Sequence, residues 1–139
     1  MTEGVRVPPI HLVLETRAVP DLAWRTLIEP ERVALWLTNA SPVAGVGATY
    51  RLEFGEGSVV TGEILELDPG RSFSHGWRWE GEVADETRVT WSVEPHEGGS
   101  RIRLVHDGWS EAGAGSARDD HEGYWSGYLD DLRDVLEEA

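Results

Sequence analysis

The chain has 139 residues, a formal net charge of −14 and no cysteine. This length is typical of one domain, so we expect a single domain over residues 1–139. Without cysteine the chain forms no disulfide, thiolate metal site or cysteine nucleophile. All twelve basic residues are arginine, which also excludes Schiff-base chemistry and a P-loop lysine.

The negative charge restricts the partners. Nucleic-acid affinity comes mainly from basic groups that displace counterions, so we expect no nucleic acid and no anionic membrane as a partner. No apolar stretch approaches the length of a membrane span. The N-terminal residues lack a basic segment followed by an apolar one, as a secretion signal would have. We therefore expect a cytoplasmic protein, and we expect it to work without a cofactor.

The first part of the chain predicts one strand and two short helices. Residues 10–15, IHLVLE, alternate in polarity as a half-buried strand does. Helical spacing starts at Pro20 and stops at Pro30, because proline suits a first helical turn and breaks a helix interior. We predict a second short helix over residues 31–37. The proline and glycines of residues 41–47 indicate a connecting loop.

Five strand-like segments follow. They cover residues 48–54, 59–67, 72–79, 87–94 and 101–106. Turn sequences such as Asp68-Pro69-Gly70 separate most of them, and such short connections predict an antiparallel meander. Alternation places aromatic and aliphatic residues on one face and arginine and glutamate on the other, which we expect to face solvent.

The C-terminal residues 121–139 predict a long amphipathic helix. Apolar residues recur there at helical spacing opposite a row of acidic residues. The inner face of the predicted sheet is the only large apolar surface on which this helix can be buried. The sequence therefore predicts an α+β fold in which a curved antiparallel sheet wraps around a long C-terminal helix, with two short helices closing one end.

An unusual row of rings suggests a binding site. In FSHGWRW, residues 73–79, every second residue has a ring and faces the predicted inner surface. Seven tryptophans occur in the chain, and flat rings line many pockets for apolar ligands. We predict a site for an apolar or aromatic small molecule. The candidate ligand-binding residues are Phe73, His75, Trp77, Trp79, Trp91, His106, Tyr50 and Tyr128.

Two interpretations of the inward histidines stay open. His75 and His106 lie on strands separated by the strand of Trp91. Each could bond a ligand or move a proton, since histidine titrates near neutral pH. Alternatively, each is a structural residue bonded to a backbone carbonyl or to Tyr124 or Tyr128. His75 is the candidate catalytic residue, if there is one.

An acidic cluster near the last helix raises the question of a metal. It comprises Asp107, Asp119, Asp120, His121 and Glu122. Their spacing matches no ligand motif, and carboxylates are favoured near a helix N-terminus for electrostatic reasons alone. We expect no metal site. The strained Gly-x-Ser-x-Gly turn of serine hydrolases is also absent from the sequence.

Three segments carry a resemblance to a known family. They are LETRAVPDLAWRTLIEPERVALWL, VVTGEILELDPGRSFSHGWRW and LVHDGWSEAGAGSARDDHEGYWSGYLDDLRDVL. With this order of elements, the chain resembles the helix-grip fold of the START and Bet v 1 (SRPBCC) superfamily. More narrowly, it resembles the bacterial branch that is similar to the C-terminal domain of the activator of Hsp90 ATPase.

The resemblance implies three classes of function. Members of the superfamily bind lipids, hormones or polyketides, cyclise polyketides, or assist a chaperone. Our leading hypothesis is a non-enzymatic cavity protein for a hydrophobic small molecule. The alternatives are an interaction module, with a chaperone or a second copy of the chain as partner, and a cyclase or hydrolase that uses His75 or His106 with Tyr50 or Tyr128 as hydrogen-bond donor.

Overall fold

The computed structural model describes residues 7–82, 86–109 and 114–138. Seven strands and three helices are formed within these ranges. In chain order they are β1 (Ile10–Thr16), α1 (Pro20–Ile28), α2 (Pro30–Val33), β2 (Asn39–Ala40), β3 (Thr49–Glu53), β4 (Val59–Asp68), β5 (Ser72–Trp79), β6 (Thr87–His96), β7 (Gly99–Asp107) and α3 (Ala114–Glu138). No described helix has both the length and the apolar composition that crossing a membrane requires.

The strands form one curved antiparallel sheet in the order β1-β7-β6-β5-β4-β3-β2. The predicted meander runs from β3 to β7, and β1 returns to pair with β7, so that Ile10 lies opposite His106. The sheet wraps around α3, and α1 and α2 follow the first strand. The predicted α+β helix-grip fold is therefore confirmed.

The apolar stripe of α3 holds the helix on the sheet. Trp125, Leu129, Leu132 and Leu136 are all buried against the inner face, while the acidic residues between them face solvent. At the other end of the core, Trp24 of α1 meets Phe73 edge to face, with 5.7 Å between ring centroids. Burial of these large side chains is the main favourable term for the fold.

Several element boundaries differ from the sequence-based expectation, and the largest difference is in α3, which begins at Ala114 instead of residue 121. β2 was not predicted, because a two-residue strand is too short to show alternation. α2 ends at Val33 instead of residue 37; there the chain turns so that the Trp36 indole reaches the core and donates to the Thr26 carbonyl over 2.9 Å. β6 and β7 extend further toward each other than expected, because Glu97 and Gly98 both have the positive φ of a two-residue hairpin turn.

β4 is the irregular strand of the sheet. Its register against β5 shifts between Ile64 and Glu66, which explains why apolar residues occur on both of its faces. Near this shift, Gly62 runs so close to β5 that a Cβ would overlap the backbone carbonyl of Gly76. Glycine is required at this position for space, which is a constraint of packing rather than of backbone dihedrals.

We expect Gly62→Ala to destabilise the fold, because β4 and β5 must separate to admit the methyl group. The free energy of unfolding, measured by urea titration, should fall by about 2 kcal/mol or more. Gly127→Ala is the matched control: nothing lies within 4 Å of a Cβ at this exposed helical position, so the same change should raise stability by up to about 1 kcal/mol. Equal effects of the two substitutions would contradict this account of β4.

Candidate functional site

A cavity of about 680 Å³ lies between the N-terminal half of α3 and one end of the sheet. This volume is in the range of small-molecule sites. The sheet contributes the end of β5 and the turn between β3 and β4. Six aromatic side chains line the cavity: Phe54, Trp77, Trp79, Tyr124, Trp125 and Tyr128.

The rings meet mostly edge to face or tilted. Trp77 and Trp79 share one face of β5 because they are two residues apart; their centroids are 5.8 Å apart and their planes are perpendicular. Phe54 lies 5.3 Å from Trp79 and 6.2 Å from Tyr128. Trp125 lies 5.2 Å from Trp77 on the inner side. Such pairs favour fixed ring orientations beyond the burial of their surface.

His121 of α3 holds the two β5 indoles in place. Its Nε2 accepts a hydrogen bond from Trp79 Nε1 over 3.0 Å and another from Trp77 Nε1 over 3.3 Å. Its Nδ1 lies 2.7 Å from the Ala117 carbonyl. A carbonyl only accepts, so Nδ1 carries the proton and Nε2 is the free acceptor of a neutral imidazole. This histidine borders the cavity and is itself buried.

His106 forms a second network beneath the cavity. Its Nδ1 accepts from Trp125 Nε1 over 3.0 Å, which puts the proton of the neutral ring on Nε2. Nε2 then donates to the Thr87 hydroxyl, 2.7 Å away, and that hydroxyl donates to the Trp77 carbonyl. The backbone carbonyl of His106 accepts from Trp109 Nε1 over 2.9 Å. His106 thus connects β6 and β7 to α3.

His75 lies deeper, in the packed core. Its Nδ1 donates to the Gly76 carbonyl over 2.8 Å. Its ring packs against Tyr50, with 4.7 Å between centroids, and against Phe73 at 5.8 Å. Trp91 is also in the core, between Trp36 and Trp125.

Burial shifts the pKa values of these groups. Desolvation lowers the pKa of His75 to about 4. Desolvation, followed by the neighbouring His121 and His75, lowers the pKa of His106 to about 2. Burial raises the pKa of the Tyr50 phenol. Burial also raises the pKa of Tyr128, with smaller contributions from Asp131 and Tyr124.

The structure divides the eight predicted ligand-binding residues into two groups. Trp77, Trp79 and Tyr128 line the cavity. The other five are buried in the core and are not part of the cavity lining: Tyr50, Phe73, His75, Trp91 and His106. A general acid or base has to reach its substrate, and the histidine that borders the cavity is His121 rather than the candidate His75.

Sequence reasoning missed four residues of the ring-lined wall: Phe54, His121, Tyr124 and Trp125. A signal for three of them was present, since residues 121, 124, 125 and 128 recur at the spacing of one helix face. From the sequence alone we instead place Trp125 in the packing stripe of α3 and His121 in the acidic cluster, and we consider Tyr124 only as a partner of the inward histidines. Phe54 gave a weaker signal, because the alternation that points it inward does not show how close to the cavity it lies.

In the part of the chain that the structure describes, no three histidine or carboxylate side chains come together as metal ligands. Within the acidic cluster near α3, both ring nitrogens of His121 are occupied by protein groups. Arg118 bridges Asp119 and Glu122, at 3.0 Å and 2.9 Å. These contacts give His121, Asp119 and Glu122 structural partners within the protein.

A curved sheet around a long helix, with an aromatic cavity between them, places the protein in the helix-grip class. Residues 17–137 match the family described as activator of Hsp90 ATPase homolog 1-like protein. This match spans most of the chain, and the chain belongs to that family. No curated protein matches the sequence closely enough to count as a relative.

Several solved structures share the fold. A protein from Mesorhizobium loti superposes with a TM-score of 0.85 at 20% identity, covering 92% of this chain and 96% of the other. The Aha1 dimer from Colwellia psychrerythraea superposes with a TM-score of 0.78 at 23% identity, covering 94% of this chain and 97% of the other. DynU16, from the dynemicin biosynthetic locus, superposes with a TM-score of 0.83 at 22% identity. The match covers 94% of this chain but only 47% of DynU16. At these identities the likeness shows the fold alone.

The two core histidines should make stability depend on pH. Their pKa values in the folded protein, about 4 for His75 and about 2 for His106, lie below the ordinary value of 6.5. Below about pH 6.5 the unfolded chain therefore binds more protons than the folded protein, so the free energy of unfolding decreases as the pH falls. Each histidine contributes up to about 1.4 kcal/mol per pH unit, and urea unfolding between about pH 7 and pH 5 measures the slope.

Substitutions of single histidines separate the contribution of His75 and His106 to this pH dependence from the contributions of other titrating groups. His75→Gln and His106→Gln should each reduce the slope, whatever their effect on absolute stability, because glutamine does not titrate. His11→Gln is the control, because His11 is exposed, and it should leave the slope unchanged. If the slopes of all three variants equalled that of the wild type, neutral burial of the two histidines would be disproved.

Proposed function

We propose that the protein binds an apolar, ring-containing small molecule in the cavity between α3 and β5. The observation that carries this proposal is the set of six aromatic side chains around a cavity of about 680 Å³. Rings contribute large contact areas with few rotatable bonds to freeze. Cavities lined by aromatic rings together with some polar groups are the usual form of small-molecule sites.

The cavity wall is held in place by contacts within the protein. The indoles of Trp77 and Trp79 are fixed by His121, and Trp125 is fixed by His106. A ligand that enters does not have to order these side chains, so less of its binding energy is lost to entropy. Pre-organised walls favour binding as the role of the cavity.

His75 does not line the cavity, so other groups have to make the polar contacts with the ligand. Ser58 and the two tyrosines Tyr124 and Tyr128 line the cavity and carry hydroxyls. A hydroxyl can donate to or accept from a ligand. We propose that these three residues orient the ligand.

N-phenyl-1-naphthylamine, a neutral probe that fluoresces in apolar surroundings, tests the proposal. We expect saturable binding, because the cavity offers the probe a defined aromatic site. Trp79→Ala and Tyr128→Ala each remove part of the wall and should weaken binding about tenfold. Leu35→Ala, which truncates an exposed apolar side chain outside the cavity, is the control and should leave the affinity unchanged.

Two results would contradict cavity binding. One is the absence of saturable fluorescence across a panel of neutral aromatic probes. The other is an affinity that falls equally in Trp79→Ala and Leu35→Ala, because the probe would then report a general change of the surface.

The family match favours a second candidate, a module that acts on a chaperone. The family is described by its likeness to an activator of Hsp90 ATPase, and the neighbour from Colwellia psychrerythraea is described as an Aha1 dimer. This candidate predicts that purified bacterial Hsp90 hydrolyses ATP faster, in a saturable way, when the protein is added. Trp79→Ala should retain that effect if the cavity plays no part. An unchanged ATPase rate at saturating protein would contradict the candidate.

A further inference from the structure

We propose that the ligand carries a positive charge, as a protonated or quaternary amine attached to an apolar ring system. This inference rests on the proposed function and specifies its ligand class. Glu56, Glu82 and Asp120 line the same cavity as the aromatic rings. They come from the β3–β4 turn, the segment after β5 and α3, so three different parts of the fold bring carboxylates to one cavity.

These three carboxylates differ from those on the outer face of the sheet. There, Glu94 pairs with Arg101 and Arg103, at 3.4 Å and 3.2 Å, and Glu15 pairs with Arg101 at 2.8 Å. Among the residues that the structure describes, neither Glu56, Glu82 nor Asp120 forms an ion pair, and no arginine lines the cavity. Within the described part of the chain, no basic side chain therefore neutralises the negative charge at the cavity.

The polar side chains of the cavity lining offer a ligand more hydrogen-bond acceptors than donors. The N–H groups of Trp77 and Trp79 are the donors that an anionic ligand would use, but both are directed to His121 Nε2. The remaining charged groups are carboxylates, which only accept when ionised. Apart from the hydroxyls of Ser58, Tyr124 and Tyr128, the lining is thus poor in donors and rich in acceptors. A protonated amine supplies both the donors and the positive charge that this lining lacks, and a quaternary amine supplies the charge alone.

The aromatic walls favour a cation as well. A cation is attracted to the face of an aromatic ring within about 6 Å, most strongly to tryptophan. Trp77 and Trp79 present two indoles at right angles, with Phe54 and Tyr128 beside them. The formal net charge of −14 adds a long-range field that attracts cations and repels anions.

Isothermal titration calorimetry with three matched naphthalenes tests the inference. The probes are 2-naphthylmethylammonium, the neutral 2-naphthylmethanol and the anionic 2-naphthoate, which share one ring system. We expect the ammonium to bind about tenfold more tightly than the alcohol, the magnitude of a partly desolvated cation–π contact with nearby carboxylates. The carboxylate should bind most weakly. Added NaCl should reduce the difference between ammonium and alcohol, because salt screens the carboxylates.

A variant in which neutral amides replace the three cavity carboxylates tests whether these carboxylates cause the preference for the ammonium probe. Glu56→Gln, Glu82→Gln and Asp120→Asn, combined in one chain, should remove most of the ammonium preference, measured as the ratio of the ammonium affinity to the alcohol affinity in the same variant.

The control changes three exposed carboxylates outside the cavity, Glu31→Gln, Asp68→Asn and Glu138→Gln, and so alters the net charge equally. This control should keep most of the preference.

The outcomes separate the inference from the proposed function. If the ammonium and the alcohol bind equally, the charge inference is overturned while cavity binding stands. The inference is also overturned if the control variant loses as much preference as the cavity variant, because net charge would then be the cause. If none of the three naphthalenes binds saturably, the proposed function and the inference fail together.

Discussion

The demand of buried indole N–H groups for acceptors is the constraint on which much of this structure depends. An N–H group that loses water without gaining a partner costs free energy. Here two histidines supply most of the acceptors. His121 Nε2 accepts hydrogen bonds from the indoles of Trp77 and Trp79. The His106 ring accepts one from Trp125, and the His106 backbone carbonyl accepts one from Trp109. Each ring can accept only because it is neutral, and burial keeps the His106 imidazole in that form.

The same bonds fix the helix along the sheet. His121 and Trp125 belong to one face of α3, and their partners belong to β5 and β7. Hydrophobic packing alone is non-directional and tolerates small displacements of a helix, whereas hydrogen bonds to ring nitrogens require defined distances and angles. The position of α3, and with it the shape of the cavity beside Tyr124 and Tyr128, therefore depends on polar contacts inside an apolar layer.

Much of the architecture could be predicted because it is encoded locally. Alternation in β3, β5 and β6 and the amphipathic stripe of α3 each repeat over enough residues to be recognised. The return of β1 to β7 could not be read in this way, because strand pairing between distant segments leaves no local pattern. The family resemblance supplied the architecture as a whole.

The site was harder to predict than the fold. Alternation indicates that Phe73, His75, Trp77 and Trp79 point inward, but it does not distinguish the middle of a strand from its end. Phe73 and His75 lie in the packed middle, and Trp77 and Trp79 lie toward the cavity at the end of β5. The role of His121 arises from tertiary contact with two residues more than forty positions away. A single sequence contains no signal for such a contact.

The pairing of β1 with β7 has a consequence for how the chain folds during synthesis. β1 is made before the other described strands, but its partner β7 is the last of them to be made. The hairpins from β3 to β7 join neighbouring segments and can close at small entropic cost, whereas the β1–β7 ladder closes a loop that includes nearly the whole sheet. Until β7 emerges, the apolar side chains of Ile10 and Leu14 have no strand beside them and no helix above them. A nascent chain of this protein thus presents an unpaired apolar strand from the emergence of β1 until β7 has been made, and cotranslational holding of that strand would protect it from aggregation.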